Sequence, residues 1–160
     1  MKKSDLFYLL MFCIVFVSCK KEPNQNEVKT AKVQEEKPIN TECYRALYEQ
    51  DTLDLKINTL KDGKITGNMS MKVFEHPEKV GKIEGSFHGD TLFVDYTFAM
   101  VTNDKVTFKN PMAMLKKGNE LILGSGKIET YLGRSYFAKG TPIDFDKVKY
   151  KFSKVECEKK

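Results

Sequence analysis

From Thr41 onward, apolar residues recur at every second position, and this alternation constrains the fold more than any other feature. Leu53, Leu55 and Ile57 alternate with Asp54, Lys56 and Asn58. Ile65, Gly67, Met69, Met71 and Val73 share a second such run, Gly81, Ile83, Gly85, Phe87 and Gly89 a third, and Leu92, Val94, Tyr96 and Phe98 a fourth. Successive side chains of an extended chain point to opposite faces, so period two marks half-buried strands. No i, i+3, i+4 stripe follows residue 40, and at most one short turn is expected over 143–148. Asp62-Gly63, His76-Pro77-Glu78, Gly89-Asp90 and Lys117-Gly118-Asn119 separate the runs with turn-forming residues.

The second half is less regular. Val106 and Phe108 begin a strand that Pro111 interrupts or pushes to an edge, because proline has no N–H for a ladder bond. Met112 and Met114 continue it. Leu121 to Glu129 reads as one strand bent at Gly124 and Gly126, Tyr136-Phe137 as a short one, and Val148, Tyr150 and Phe152 as the last. Eight or nine short antiparallel strands at this spacing predict an all-β meander closed into a small, lipocalin-like barrel, with a two-sheet sandwich as the alternative. The glycines alternating with Ile83 and Phe87 suit the inner face of a strongly curved sheet. A side chain at Gly85 is expected to meet residues across the interior, such as Met69 or Val94.

Ahead of this domain the composition changes twice. Lys2 and Lys3 precede twelve unbroken apolar residues, Leu6 to Val17, the pattern of a signal peptide over 1–18. Twelve helical residues reach about 18 Å, short of a ~30 Å hydrocarbon core, which argues against a permanent span. The run Phe16-Val17-Ser18-Cys19 resembles a bacterial lipobox. That resemblance implies cleavage before Cys19, acylation of Cys19, and attachment to a membrane through its acyl chains. Residues 20–40 contain no aromatic and only Val28, Ala31, Val33 and Ile39 as apolar residues. Such a segment buries too little surface to offset its ordering entropy, so 19–40 is read as the lipidated cysteine and a disordered tether with a reach of about 25 Å. The folded domain is assigned to 41–160.

Cysteine usage fits an exported chain. Cys13 falls in the apolar leader and Cys19 is the acylation candidate, leaving Cys43 and Cys157 at the two ends of the domain. An oxidising compartment favours a single Cys43–Cys157 disulfide. Neither cysteine has a CxxC partner or a nearby histidine, so no metal is expected, and no cofactor motif is present. Between these cysteines there are 18 basic and 15 acidic side chains, spread along the chain. A nucleic-acid partner is not expected, since that role calls for a clustered basic face.

Catalytic patterns are sparse. His76 and His88 are the two histidines; one precedes a proline in a turn and the other ends a strand. Asp95 and Glu129 are carboxylates suited in type to acid–base work, but their alternation places them outward. Met69, Met71, Phe87, Tyr96 and Phe98 share inner faces. They form either a filled core or the wall of a small apolar ligand cavity, methionine being adaptable to irregular ligands. The filled core is favoured, because an eight-stranded barrel is only wide enough for its own side chains.

Cys43-Tyr44, Gly89-Asp90-Thr91-Leu92, Asp95-Tyr96-Thr97-Phe98, Leu121 with Gly124-Ser125-Gly126, and Lys154-Val155-Glu156-Cys157 together resemble a group of Bacteroidota lipoproteins without assigned activity. Gly124-Ser125-Gly126 and Tyr136-Phe137-Ala138-Lys139-Gly140 are similar to the two loop motifs of membrane-bound inhibitors of c-type lysozyme. That second resemblance implies Ser125 and Lys139 as inhibitory residues. The reading taken forward is a non-enzymatic, lipid-anchored envelope protein, expected at the outer membrane on its periplasmic or external face. It binds or scaffolds an unidentified protein or small molecule. A lysozyme inhibitor and a carrier of a small apolar ligand are the alternatives.

Overall fold

A computed structural model describes residues 36–158; the expected signal peptide, Cys19 and most of the expected tether lie outside the described residues. The alternating runs become strands β1 (Asn40–Tyr48), β2 (Asp51–Thr59), β3 (Lys64–Lys72), β4 (Lys79–His88) and β5 (Thr91–Met100). Then follow β6 (Asn103–Lys117), β7 (Glu120–Leu123), β8 (Ile128–Tyr131), β9 (Arg134–Phe137) and β10 (Lys151–Val155). Strands β2 to β7 pair in sequence order, all antiparallel, and β10 fits between β7 and β1 to close an eight-stranded barrel. Strands β8 and β9 form a separate two-stranded sheet.

Closure follows from the amphipathic pattern. One face of each long strand is apolar, and a closed sheet buries that face while leaving no free ends to the strand order. Leu53, Leu55 and Ile57 of β2, Ile65 and Met69 of β3, and Leu92, Val94 and Tyr96 of β5 all point inward and are buried. Phe152 of β10 and Leu121 of β7 complete the core from the far side. The turns fall where glycine and its neighbours predict. Gly89 and Gly118 take positive φ, 60° and 61°, as first residues of the two-residue loops joining β4 to β5 and β6 to β7. Cys43 and Cys157 are bonded, with Cα atoms 5.2 Å apart. The bridge lies beside the β1–β10 seam, where Cys43 faces Val155. Among the described residues every strand, the core and the bridge lie between residues 40 and 157.

Three expectations need correction. The run Leu121 to Glu129 is not one bent strand. β7 stops at Leu123, and the chain leaves the barrel at Gly124, where a Cβ would meet Ile143 Cγ2 and Phe145 Cε1, each at 2.5 Å. The last alternating run also begins later than expected: Val148 and Tyr150 precede β10. Gly85 does face inward by parity, but a Cβ there would overlap the Phe93 carbonyl oxygen and Val94 Cα of the adjacent strand, not residues across the interior. Gly67 against the Lys56 carbonyl and Gly81 against the Thr97 carbonyl repeat the arrangement. In each case glycine lets the neighbouring backbone come close, which is how a short-strand barrel bends tightly.

Pro111 sits inside β6 without interrupting it. The Lys116 N–H donates to the Asp90 carbonyl at 2.8 Å, and bonded pairs recur every second residue along an antiparallel ladder. The Asp95–Pro111 pair therefore falls at a non-bonded position, and the proline nitrogen faces away from β5. On that far side, β7 pairs only with Met114 to Lys117, extended by a bond from Gly124 N–H to the Ala113 carbonyl. From Asn103 to Met112 no strand pairs with this edge of β6 among the described residues.

Candidate functional site

The interior is the first place to look for a binding site, and its centre is occupied. Tyr96 is 2% exposed and its hydroxyl donates to the Met69 carbonyl oxygen at 3.1 Å, two strands away. Its ring stacks on Phe98 at 4.8 Å between centroids, and Phe98 stacks in turn on Phe108 at 5.5 Å. Burial holds the Tyr96 hydroxyl protonated well above the usual phenol range. The five side chains proposed to line a cavity lie at different levels. Met69, Tyr96 and Phe98 fill the core, and Met71 packs against it near the β3–β4 end. Phe87 is 37% exposed at the opposite rim, with the Lys116 ammonium 5.9 Å from its ring centre. Phe87 is thus a correction: inward parity near a strand end leads to the rim, not to the interior.

Each rim carries a polar cluster. At the rim with the disulfide, Lys154 Nζ donates to Glu42 Oε1 at 2.7 Å. That bond, with Lys154 and Lys116 charge nearby, holds the Glu42 carboxyl below the usual range. Burial and the Glu42 carboxylate push the Tyr44 hydroxyl up to about 12. At the other rim Asp51 is only 8% exposed. It accepts from the Phe74 N–H at 2.8 Å and from the Tyr150 hydroxyl at 2.7 Å. These two bonds hold the Asp51 carboxyl below its ordinary value, and burial with the Asp51 bond pushes Tyr150 up to about 12. Tyr150 also meets Tyr48 edge-on. The cluster pins the segment before β10 across the end of the barrel. Sequence reasoning missed it, because its members lie 99 positions apart.

The groups considered for acid–base work do not gather. Asp95 pairs with Lys109 at 2.8 Å on the outer face, and Glu129 with Lys127 at 3.4 Å on β8. His88 lies within 3.2 Å of Ser86 and edge-on to Phe93, while His76 is exposed in the β3–β4 turn. Among the described residues no group of three or more His, Cys, Asp or Glu could hold a metal ion.

Two features of the outer surface remain. A groove of about 290 Å³ lies over Gly81 between Val80, Lys82 and Thr107, and a cleft of about 200 Å³ separates Pro111 and Met112 from Ile128 and Phe137. Ser125 and Lys139 flank this second region. Ser125 is fixed by a reciprocal backbone pair with Asp144, each bond 2.8 Å, and Lys139 is exposed in the turn after β9. No hydrogen bond joins their side chains. Between them the Ala138 N–H donates to the Lys127 carbonyl, so both sit at the base of the β8–β9 hairpin. Sequence reasoning missed the hairpin loop, because Leu132-Gly133 lacks the Asn, Asp or Gly that usually opens a two-residue loop. The chain matches no protein-family model, no curated protein and no solved structure.

Proposed function

We propose that this protein is a lipid-anchored cell-envelope protein that binds through its outer surface and performs no catalysis. One observation carries the surface reading: Tyr96 and its partners occupy the middle of the barrel, so a partner is met outside. The edge of β6 that is unpaired among the described residues offers backbone donors and acceptors for an added strand, beside the cleft under the hairpin. The Phe16-Val17-Ser18-Cys19 run supports the anchor, and the likeness to Bacteroidota lipoproteins supports an outer-membrane address. The surface placement of Asp95, Glu129, His76 and His88, each with local partners or solvent, supports a binding role over an enzymatic one.

The anchor is tested by metabolic labelling with a fatty acid. Wild-type protein is expected to take up label and Cys19→Ala to take up none; equal labelling of the two overturns the anchor. The surface reading is tested by cross-linking in cells with photoreactive residues at Lys109 on β6 and, as control, at Lys56 on β2. Adducts concentrated at Lys109 support it, and equal yields from both positions overturn it.

A further inference from the structure

The β8–β9 hairpin is built against the ordinary preferences of its parts. All four residues of β8 are exposed. The loop between the Tyr131–Arg134 pair is Leu132-Gly133, with φ of 48° and 75°. Positive φ at both central positions makes a type I′ turn, whose first place usually goes to Asn, Asp or Gly. A leucine there crowds its own backbone. It is also 84% exposed, and Tyr131 beside it 66%, so no core contact offsets the strain. Glu49 and Glu75 also take positive φ, but both are polar and at home in water.

The chemistry around the apex is ordered. Leu132 leads, Tyr131 and Arg134 stand paired directly behind it, Tyr136 lies two positions nearer the base opposite Glu129, and Lys127 and Lys139 stand at the base. Glu129 is paired with Lys127; Arg134 and Lys139 make no salt bridge among the described residues. A hydrocarbon apex backed by an amphipathic ring and a long cation, whose charged head can reach back toward water, suits a bilayer interface of acyl chains and anionic phosphates. Cys19, the expected acylation site, lies only 20 positions before Ile39, whose N–H is fixed to the Thr59 carbonyl. The disordered tether expected from the sequence has a reach of about 25 Å, which would keep the hairpin at high effective concentration near one membrane. This choice of a lipid occupant over a protein rests on the anchor reading.

We propose that Tyr131 and Leu132 at the hairpin tip insert into a phospholipid bilayer, with the Arg134 guanidinium reaching back to its anionic phosphates. Acylation would hold the protein at the membrane, and the tip would orient the barrel on it.

The test uses residues 20–160, which lack the expected signal peptide and Cys19, so its outcome is independent of acylation. Binding to vesicles of phosphatidylglycerol and phosphatidylcholine is measured by co-sedimentation, with thermal melts alongside. Leu132→Asn is the informative variant, because asparagine suits the turn while removing the apolar apex. It is expected to keep or raise the melting temperature and to weaken vesicle binding roughly tenfold or more. Arg134→Gln is expected to weaken binding to anionic vesicles several-fold, an effect that shrinks with added salt. Equal vesicle binding by wild type and Leu132→Asn overturns the proposal, as does no binding by either. Concentration-dependent self-association abolished by Leu132→Asn, without vesicle binding, would also overturn it and assign the tip to a second copy of the chain.

Discussion

Gly85 and Gly63 both resist a methyl group, for different reasons. At Gly85 the space is taken by the Phe93 carbonyl and Val94 Cα of the paired strand, so any side chain forces two backbones apart. At Gly63 nothing lies within 4 Å, but φ is 81°, a conformation open to asparagine more than to other residues. Gly85→Ala and Gly85→Asn are therefore both expected to cost about 2–3 kcal/mol. Gly63→Ala is expected to cost about 1 kcal/mol and Gly63→Asn less, with Lys82→Ala within about 0.5 kcal/mol as the surface control. Denaturant melts decide; tolerance of alanine at 85 would contradict the close strand approach. Parity told the sequence reader which way Gly85 faces but not how near the next strand runs, because period two carries no information on inter-strand distance. The Asp51–Tyr150 pair yields a second expectation. The Asp51 carboxyl titrates below its ordinary value in the fold, so its contribution is present above about pH 4 and is lost as pH falls through the depressed value. Tyr150 is raised to about 12, so its contribution is complete below about pH 10 and is lost as pH rises through about 12. In thermal melts, Asp51→Asn should be less stable than wild type near neutrality, and the gap should close in acid as the wild-type carboxyl protonates. A gap constant down to pH 2 would show that the charge contributes nothing.

Strand lengths divide the barrel into a strong side and a weak side. β4 and β5 pair over ten residues, whereas β10 pairs over three with each neighbour and β7 over four with β6. The strong side was legible because its strands alternate cleanly between recognisable turns. The weak side was not. Gly124 ends β7 because Ile143 and Phe145, some twenty residues on, occupy the place of its missing side chain. No local pattern reports such a contact. The candidate surface was legible only in pieces: Pro111 was read as an edge residue, but nothing near it shows that β7 is too short to cover β6. That edge gives the proline a role. Its nitrogen faces the side of β6 that no strand pairs among the described residues, beside the cleft to Ile128 and Phe137, so it withholds one donor from a partner strand, while Lys105 and Lys109 add charge. Pro111→Thr restores the donor and adds β propensity. It should leave monomer stability within about 0.5 kcal/mol and raise self-association, seen as earlier elution or greater light scattering at high concentration. A monomer unchanged at millimolar concentration would show that Pro111 is not guarding the edge.

At the scale of the whole molecule the weak side is also where the first and last strands meet, and the disulfide lies there. The pairing was legible because the expected export signal, the two leftover cysteines and the expected barrel closure all point to it. Its consequence comes from length. Cys43 and Cys157 are 114 positions apart, so the bond removes a large share of the unfolded chain's freedom, up to about 4–5 kcal/mol in the chain-entropy model. The three-residue β1–β10 seam adds a local effect, since few backbone bonds hold these strands together without the bridge. Cys43→Ser with Cys157→Ser is therefore expected to lower global stability by about 2–5 kcal/mol. It should also speed amide exchange first in β1 and β10, where Cys43, Tyr44 and Arg45 pair with Val155, Lys154 and Ser153. The amides of β4 and β5 should then exchange only through global unfolding. Hydrogen exchange followed by mass spectrometry separates the two effects. If the double variant loses stability but all strands exchange together, the bridge acts only through the unfolded chain. If β1 and β10 open first, it is also the clasp that keeps the barrel closed, and the second result is the one the short seam requires.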